Sequence, residues 1–255
     1  MVGSAIWKGH ISFGDTNVAV KLHSAVREEH IRFHLLHRRD RVKLRRQMIC
    51  AYEKQPVPAE AQVRGFEVED GKYIIVGPEE LEQAVPEDSR MIEVHEFVKT
   101  EQIAPIFLER VYYLEPDHSK GYNALVEVLK ETDAAGICTW TMRKRSYLGA
   151  LQASGNLLRL TALRYADEVI SVSSLDLQKI PLSEKELKIG SELINQLAAP
   201  FQPQKFGNEH QKKLQALIDK KARGEKIALL RPRRLKPTGP DKLLQALEAS
   251  LKKVA

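Results

Sequence analysis

The feature that most restricts the fold of this chain is the division of residues 1–180 into short apolar runs by turn signals. Residues 72–76 show the pattern: a run rich in β-branched and aromatic side chains lies between Gly71 and the pair Gly77–Pro78. Similar runs are found in residues 5–22 around a Gly-Asp turn, and in residues 91–98, 110–114, 135–142 and 157–163. Only residues 79–84 and 120–131 have helical spacing. Many short strands with few helices predict a mainly β fold with some α, built as a barrel or a sandwich.

The pattern becomes helical after Pro181. Ser183 followed by Glu186 is a capping box, which predicts a helix beginning there. A second helix is predicted over residues 209–223, ended by Gly224. Residues 231–240 form a basic, proline-rich linker, after which a leucine-lined helix is predicted. We therefore expect three parts: a β core over residues 1–180, a helical arm over residues 181–230, and a linker with a terminal helix over residues 231–255.

Residues 38–46 form the most basic segment of the first half of the chain. Cations at positions 41, 43 and 45 alternate with Val42 and Leu44. In a strand this spacing would produce one basic face and one apolar face. A folded row of cations points to a polyanionic partner. The six candidate contacts in this segment are Arg38, Arg39, Arg41, Lys43, Arg45 and Arg46.

Charge is distributed very unevenly along the chain. Residues 1–50 carry 10 basic and 4 acidic side chains, residues 51–137 carry 8 and 19, and residues 138–255 carry 22 and 11. This separation suits a protein with one surface facing a polyanion and another facing solvent, and it argues against a uniformly basic coat. A second cluster of cations, Arg143, Lys144 and Arg145, follows a predicted strand.

The sequence contains no pattern typical of catalysis, cofactor binding or membrane insertion. Phosphate-binding glycine loops, HExxH and GxSxG are absent, and no run of about 18 apolar residues is present. Cys50 and Cys138 are far apart and neither has a second ligand at metal-binding spacing. We therefore predict no catalytic residue, no metal and no cofactor. Trp7 and Trp140 could stack on the bases of a nucleic acid, but a double helix bound from outside exposes no base faces. We therefore interpret both as core residues.

The chain opens with AIWKGHISFG at residues 5–14 and VAVKL at residues 18–22. These segments resemble the opening of the prokaryotic Ku family of DNA double-strand break repair. The resemblance continues in the same order and covers essentially the whole chain, through residues 33–36, 40–42, 64–67, 72–76, 97–98, 105–106, 112–117, 120–122 and 241–251.

The resemblance implies a Ku-core β-barrel with a strand-built bridge and a C-terminal helical arm. Two copies would form a ring-shaped homodimer that threads onto a double-stranded DNA end and contacts its sugar–phosphate backbone, without sequence preference. It implies a non-enzymatic role in non-homologous end joining, in which the protein recruits an ATP-dependent end-joining DNA ligase. The expected location is the bacterial cytoplasm, in association with the nucleoid.

The resemblance also ranks the candidate residues. The segment at residues 38–46 is the first choice for DNA contacts. The cluster of Arg143, Lys144 and Arg145 is the second, because relatives place an arginine against DNA there. Lys8 and Lys72 are the third choices, as cations on matching strands. The expected ligase-docking residues are Leu243, Leu247 and Leu251, in the terminal helix.

Three alternatives remain open from the residues alone. A general basic nucleic-acid coating protein would share the cationic segment but would bind closed DNA circles or structured RNA as well as ends. A metal-dependent nuclease or lyase would alter DNA when Mg²⁺ or Mn²⁺ is added. The terminal leucines would pack on their own domain if they have no partner.

Overall fold

The computed structural model describes residues 4–27, 30–87, 89–117, 121–175, 183–224 and 245. Its nine strands are β1 Trp7–Phe13, β2 Thr16–Ser24, β3 Arg64–Glu69, β4 Lys72–Val76, β5 Met91–Lys99, β6 Leu108–Pro116, β7 Ala134–Met142, β8 Arg145–Ser154 and β9 Leu157–Leu163. Its four α-helices are α1 Pro78–Gln83, α2 Gly121–Thr132, α3 Glu184–Leu197 and α4 Glu209–Ala222. The described residues fall into two compact units, one formed by those within 1–29 and 34–172 and the other by those within 30–33 and 173–255.

The first unit is built around a closed seven-stranded barrel in the order β1-β2-β6-β9-β8-β7-β5. Neighbouring strands are antiparallel except at the closure, where β1 and β5 run parallel and His10 lies opposite Met91. The expected mainly β fold built around a barrel is therefore confirmed. Strand β8 was missed in the sequence, because its glycine and small residues weaken the β pattern. Gly149 is required there, since a Cβ would lie 2.5 Å from the Trp140 ring.

Alternate side chains of the strands fill the barrel and form one hydrophobic core. Trp140 is buried in this core, and Trp7 packs against it, so both were correctly interpreted as core residues. Such burial supplies the main favourable free energy of folding. The fully buried members include Ile11, Val18, Val20, Leu22, Ile92, Leu114, Leu151, Leu158 and Leu160.

Helix α2 packs one apolar face into the same core. Its buried residues are Tyr122, Leu125, Val126 and Leu129, at the spacing of one helical face. The Tyr122 hydroxyl donates to the Leu114 carbonyl at 2.5 Å and accepts from the Leu158 amide at 2.8 Å. Leu114 and Leu158 are register partners of β6 and β9. The hydroxyl therefore joins the helix to a pair of barrel strands.

Most of the described residues between 34 and 87, which lie outside the barrel strands, are exposed. Strands β3 and β4 form a separate two-stranded sheet in which Phe66 lies opposite Ile74. Every residue of β3 is exposed, and in β4 only Val76 is partly covered. A two-stranded sheet of this kind is only marginally stable by itself.

The second unit contains α3 and α4. The amide of Glu186 donates to the Ser183 hydroxyl at 3.3 Å, and the Glu186 carboxylate accepts from the Ser183 amide at 2.8 Å, as the capping box predicted. The Ser183 hydroxyl also donates to the Glu186 carboxylate at 2.6 Å, and this bond, followed by the bond from the Ser183 amide, lowers the pKa of Glu186. After α4, Gly224 has a φ of +77°. No helix among the described residues is long and apolar enough to cross a membrane.

Candidate nucleic-acid interface

The basic segment forms a tight turn, which corrects the expectation of a regular strand. The Arg41 amide donates to the His37 carbonyl at 2.9 Å, and the His37 amide donates to the Val42 carbonyl at 2.8 Å. Only one bridge, Leu36 opposite Lys43, has the pairing of a strand. The turn carries Arg38 and Arg39 at its tip. We call residues 35–44 the first turn.

Asp40 explains why the first turn replaces a strand. Its Oδ1 accepts from the Val42 amide at 3.1 Å and lies 2.9 Å from His37 Nδ1. An aspartate that bonds to an amide two residues later favours a turn over an extended chain. The bond from the Val42 amide and then that from His37 lower the pKa of Asp40. Val42 and Leu44 are 61% and 51% exposed, so the predicted apolar face is not buried within the chain.

A second turn with the same geometry follows at residues 48–57. The Lys54 amide donates to the Cys50 carbonyl at 3.0 Å, and the Cys50 amide donates to the Gln55 carbonyl at 2.9 Å. Ile49 lies opposite Pro56, as Leu36 lies opposite Lys43. The amides of Glu53 and Tyr52 bond to the Cys50 thiol and lower its pKa, with Glu53 contributing more. We call residues 48–57 the second turn.

The second cluster of cations lies in the two-residue turn between β7 and β8. Met142 and Arg145 are register partners, so Arg143 and Lys144 are the central residues of the turn. Their φ angles are +53° and +63°, as in the type I′ turns that suit hairpins. All three cations are exposed. Lys144 Nζ lies 3.6 Å from Glu82 Oε1 on α1.

The strand register brings other cations to the same end of the barrel. Strand directions alternate around the barrel except between the parallel neighbours β1 and β5. The starts of β1, β5 and β6 therefore lie at the end that carries the β7–β8 turn. We call this the basic barrel end, formed by Lys8, Arg90, Arg110, Arg143, Lys144 and Arg145.

A cavity of about 520 Å³ opens at the basic barrel end. Arg110 and Arg143 both line it, together with Tyr112 and Tyr147. Burial raises the pKa of the Tyr112 hydroxyl, and the nearby Arg110 partly opposes that rise. Glu109 lines the same cavity with its carboxylate 3.6 Å from Arg110 Nε, so it offsets part of the positive charge of the two arginines.

The remaining candidates have different surroundings. Lys72 forms an ion pair with Glu69 in the neighbouring strand, at 2.5 Å from Nζ to Oε2, so part of its charge is neutralised locally. Leu243, Leu247 and Leu251 lie outside the described residues. Among the described residues, no group of three or more His, Cys, Asp and Glu side chains is arranged to hold a metal ion.

Sequence reasoning missed Lys54, Arg90 and Arg110 as members of a cationic surface. Lys54 and Arg90 lie in a part of the chain that is acidic overall, which hid them. Arg110 lies next to Glu109 in sequence and within 3.6 Å of its carboxylate. Only the register of the barrel brings Arg90 and Arg110 to the end that carries Arg143.

Comparisons with known proteins agree with this architecture. A family model described as "Ku70/Ku80 beta-barrel domain" matches residues 12–189. "Non-homologous end joining protein Ku 2" of Geotalea uraniireducens (strain Rf4) is 77% identical over the full length of both chains. "Non-homologous end joining protein Ku" of Anaeromyxobacter sp. (strain K) is 36% identical, covering 97% of this chain and 84% of that protein. With its closed barrel and these relatives, the chain belongs to the Ku family of bacterial non-homologous end joining proteins.

Proposed function

We propose that the protein binds double-stranded DNA ends as a ring-shaped homodimer in non-homologous end joining, without sequence preference. Family membership supports end joining as the process. The observation that carries the proposal is the set of exposed cations at turn tips and at the basic barrel end. Arginine and lysine on such turns match phosphates, which carry no sequence information. A break can occur at any sequence, so this mode of contact suits an end binder.

The homodimer is supported by the exposed apolar side chains of the first unit. The two turns expose Leu35, Leu36, Met48 and Ile49, each more than half accessible. Strands β3 and β4 add Phe66, Tyr73, Ile74 and Ile75, which are exposed on both faces of the small sheet. Exposed apolar side chains in this number favour a protein interface. A second copy of the chain would cover it, and the two copies would close around the duplex.

Comparing linear duplex with the same DNA as a covalently closed relaxed circle tests the proposal. Binding to the linear form that survives an excess of circle would support loading at ends. The protein can also be loaded on linear DNA and both DNA ends then blocked with a bulky protein. The ring should stay on the blocked DNA when the salt concentration is raised. Equal binding to both forms would remove the ring mechanism and favour the alternative of a general nucleic-acid coating protein.

Two further measurements separate the parts of the proposal. Light scattering should give a mass about twice the 28.9 kDa of one chain. DNA incubated with the protein and Mg²⁺ or Mn²⁺ should remain unchanged in length and sequence, because we propose binding without turnover. Cleaved or trimmed products that track with the purified protein would instead favour the enzyme alternative.

We also propose that the terminal leucines recruit an ATP-dependent end-joining DNA ligase on the bacterial chromosome. Replacing Leu243 and Leu247 with aspartate should abolish stimulation of such a ligase while end binding remains at the wild-type level. Stimulation that persists in this variant would contradict the docking role. Loss of DNA binding in the same variant would indicate that the leucines pack on their own domain.

A further inference from the structure

Six described residues other than glycine have a left-handed backbone, and five of them are cations. They are Arg41, Lys54, Arg90, Asp133, Arg143 and Lys144, with φ between +47° and +63°. This conformation is unfavourable for side chains with a Cβ, and glycine, asparagine or aspartate is the usual occupant. Arginine and lysine have no special compatibility with it. All five cations are exposed, so burial does not explain their presence.

At four other left-handed positions the chain has glycine, the residue that this backbone conformation favours. Gly14, Gly71, Gly155 and Gly224 have φ between +53° and +77°, and a Cβ at each would meet no atom within 4 Å. A cation kept in a strained backbone position points to a function for its side chain, because strain persists where function requires it. The side chain of a residue at a turn tip also projects away from its own backbone, within reach of a ligand.

The two turns provide an internal comparison. Their backbone hydrogen bonds coincide after a shift of 13 residues: Leu44 to Leu35 corresponds to Val57 to Met48, and the bonds of Arg41 correspond to those of Lys54. The two ten-residue segments share no identical residue in this alignment. The left-handed position is nevertheless a cation in both. A similar turn has thus been built twice from different residues, with a cation at the strained position each time.

Arg90 lies beside the β7–β8 turn. Ile92 and Trp140 are register partners of β5 and β7, so Arg90 falls opposite Met142, the residue before Arg143. The Arg90 carbonyl accepts from the His10 amide at 3.0 Å, which holds its backbone against β1. Its exposed side chain therefore extends the charge of Arg143 across the basic barrel end.

We propose that Lys54 and Arg90 are additional DNA-phosphate contacts, retained as cations at backbone positions that asparagine would occupy with less strain. The inference rests on the proposed binding of DNA and extends it to two residues in the acidic part of the sequence. Phosphate is the ligand that fits, because both side chains are exposed cations at turns, and such cations contact the sugar–phosphate backbone of a duplex.

Lys54 and Arg90 are each replaced in two ways, by asparagine and by glutamine. Both changes remove the cation, and only asparagine also suits the left-handed backbone. We expect both to weaken binding to linear duplex at 100 mM salt by about 3- to 10-fold, and to reduce the slope of log affinity against log salt by about 0.9 for each lost contact. The asparagine variants should also melt about 1–4 °C higher than the corresponding glutamine variants.

Two control variants match these changes. Lys130→Gln removes one exposed cation from the opposite end of the barrel, and it should leave the salt slope unchanged. Asp133→Asn changes the one left-handed position of the six that carries no cation, so it should leave binding to linear duplex at the wild-type level. Melting also shows that each variant is folded before its affinity is interpreted.

The outcomes distinguish this inference from the proposed function. Suppose that wild-type binding depends on DNA ends but the Lys54 and Arg90 variants keep the wild-type salt dependence of affinity, as Lys130→Gln should. The two additional contacts would then be refuted, while the proposed end binding would stand. If the wild-type protein binds closed circles equally and the variants still lose slope, the phosphate contacts stand and the ring mechanism fails. A wild-type protein without salt-dependent DNA binding would overturn both.

Discussion

At the scale of single residues, side chains that bond across elements connect the barrel to its surroundings. Tyr122 of α2 is 2% exposed, and its hydroxyl satisfies a carbonyl of β6 and an amide of β9. Cys138 of β7 is fully buried, with its thiol 3.4 Å from the Gly149 carbonyl oxygen. Buried polar groups contribute to stability only while their partners remain in place. Both residues therefore give predictions that do not depend on DNA.

Tyr122→Phe should destabilise the protein by about 1–3 kcal/mol. The change keeps the ring in the core but leaves a buried amide and a buried carbonyl with one partner fewer. Urea unfolding followed by tryptophan fluorescence measures the difference. Val128→Ala on the exposed face of the same helix is the control, and it should cost far less. Equal losses in the two variants would contradict the role given to the hydroxyl.

Stability should fall at alkaline pH through Cys138. Burial raises the pKa of this thiol to about 12 from an ordinary value of 9.0. Below pH 9 this thiol does not lower the free energy of unfolding. As the pH rises from 9 toward 12 the free energy of unfolding falls, because the thiol ionises in the unfolded chain but stays protonated in the folded protein. The loss approaches about 1.4 kcal/mol per pH unit. Unfolding free energies at pH 8 and pH 10 should differ less in Cys138→Ala, and an unchanged difference would refute this assignment.

At the scale of elements, the sequence patterns predicted most strands and helices but not the paths of the exposed segments. Residues 157–163 were predicted as a strand and form β9, and the capping box correctly located the start of α3. These signals are local, since they depend on residues a few positions apart. The first turn was wrongly expected as a strand, because a single Asp40 side chain bonded to the backbone outweighs an alternating pattern.

The small sheet of β3 and β4 gives a prediction about assembly. Phe66 and Ile74 are opposite each other and are 67% and 55% exposed in one chain. Replacing both with aspartate should shift the protein toward monomers, because the charges would be buried in the proposed dimer interface. Light scattering across a dilution series measures the shift.

The matched control for this assembly test is Val128→Asp. Val128 is 55% exposed on the outer face of α2, far in sequence from the small sheet. It should leave the dimer intact. If the aspartate pair leaves the mass unchanged, the two-stranded sheet is not part of the interface.

At the scale of the whole molecule, the closed barrel determines which charges act together. Seven strands with one parallel closure place residues from distant parts of the sequence at a single end. The two turns extend from this unit with further cations. Electrostatic attraction of this kind is screened by salt, so binding affinity should report how many phosphates are contacted.

Binding to linear duplex should be strongly salt-dependent. If about 6–10 phosphates are contacted, affinity should fall about 10³- to 10⁵-fold between 50 and 200 mM salt. The double variant Arg38→Ala with Arg39→Ala should reduce the slope by up to about 2, and Lys130→Gln should not change it. A shallow wild-type slope would argue against phosphate contacts as the main source of affinity. Fluorescence anisotropy of a labelled duplex at several salt concentrations provides the measurement.

The sequence alone determined most of the strands, the helices and the capping box of this protein, and its resemblance to the Ku family identified the family. Those features depend on propensity, on hydrophobic spacing and on bonds between near neighbours, all of which can be read along the chain. Tertiary structure alone decided which cations share a surface. Arg90 and Arg143 are 53 positions apart and meet because β5 pairs with β7 in one register, and Arg110 joins them because β6 begins at the same barrel end. Strand pairing is set by the packing of the whole core, so no local pattern could have predicted it.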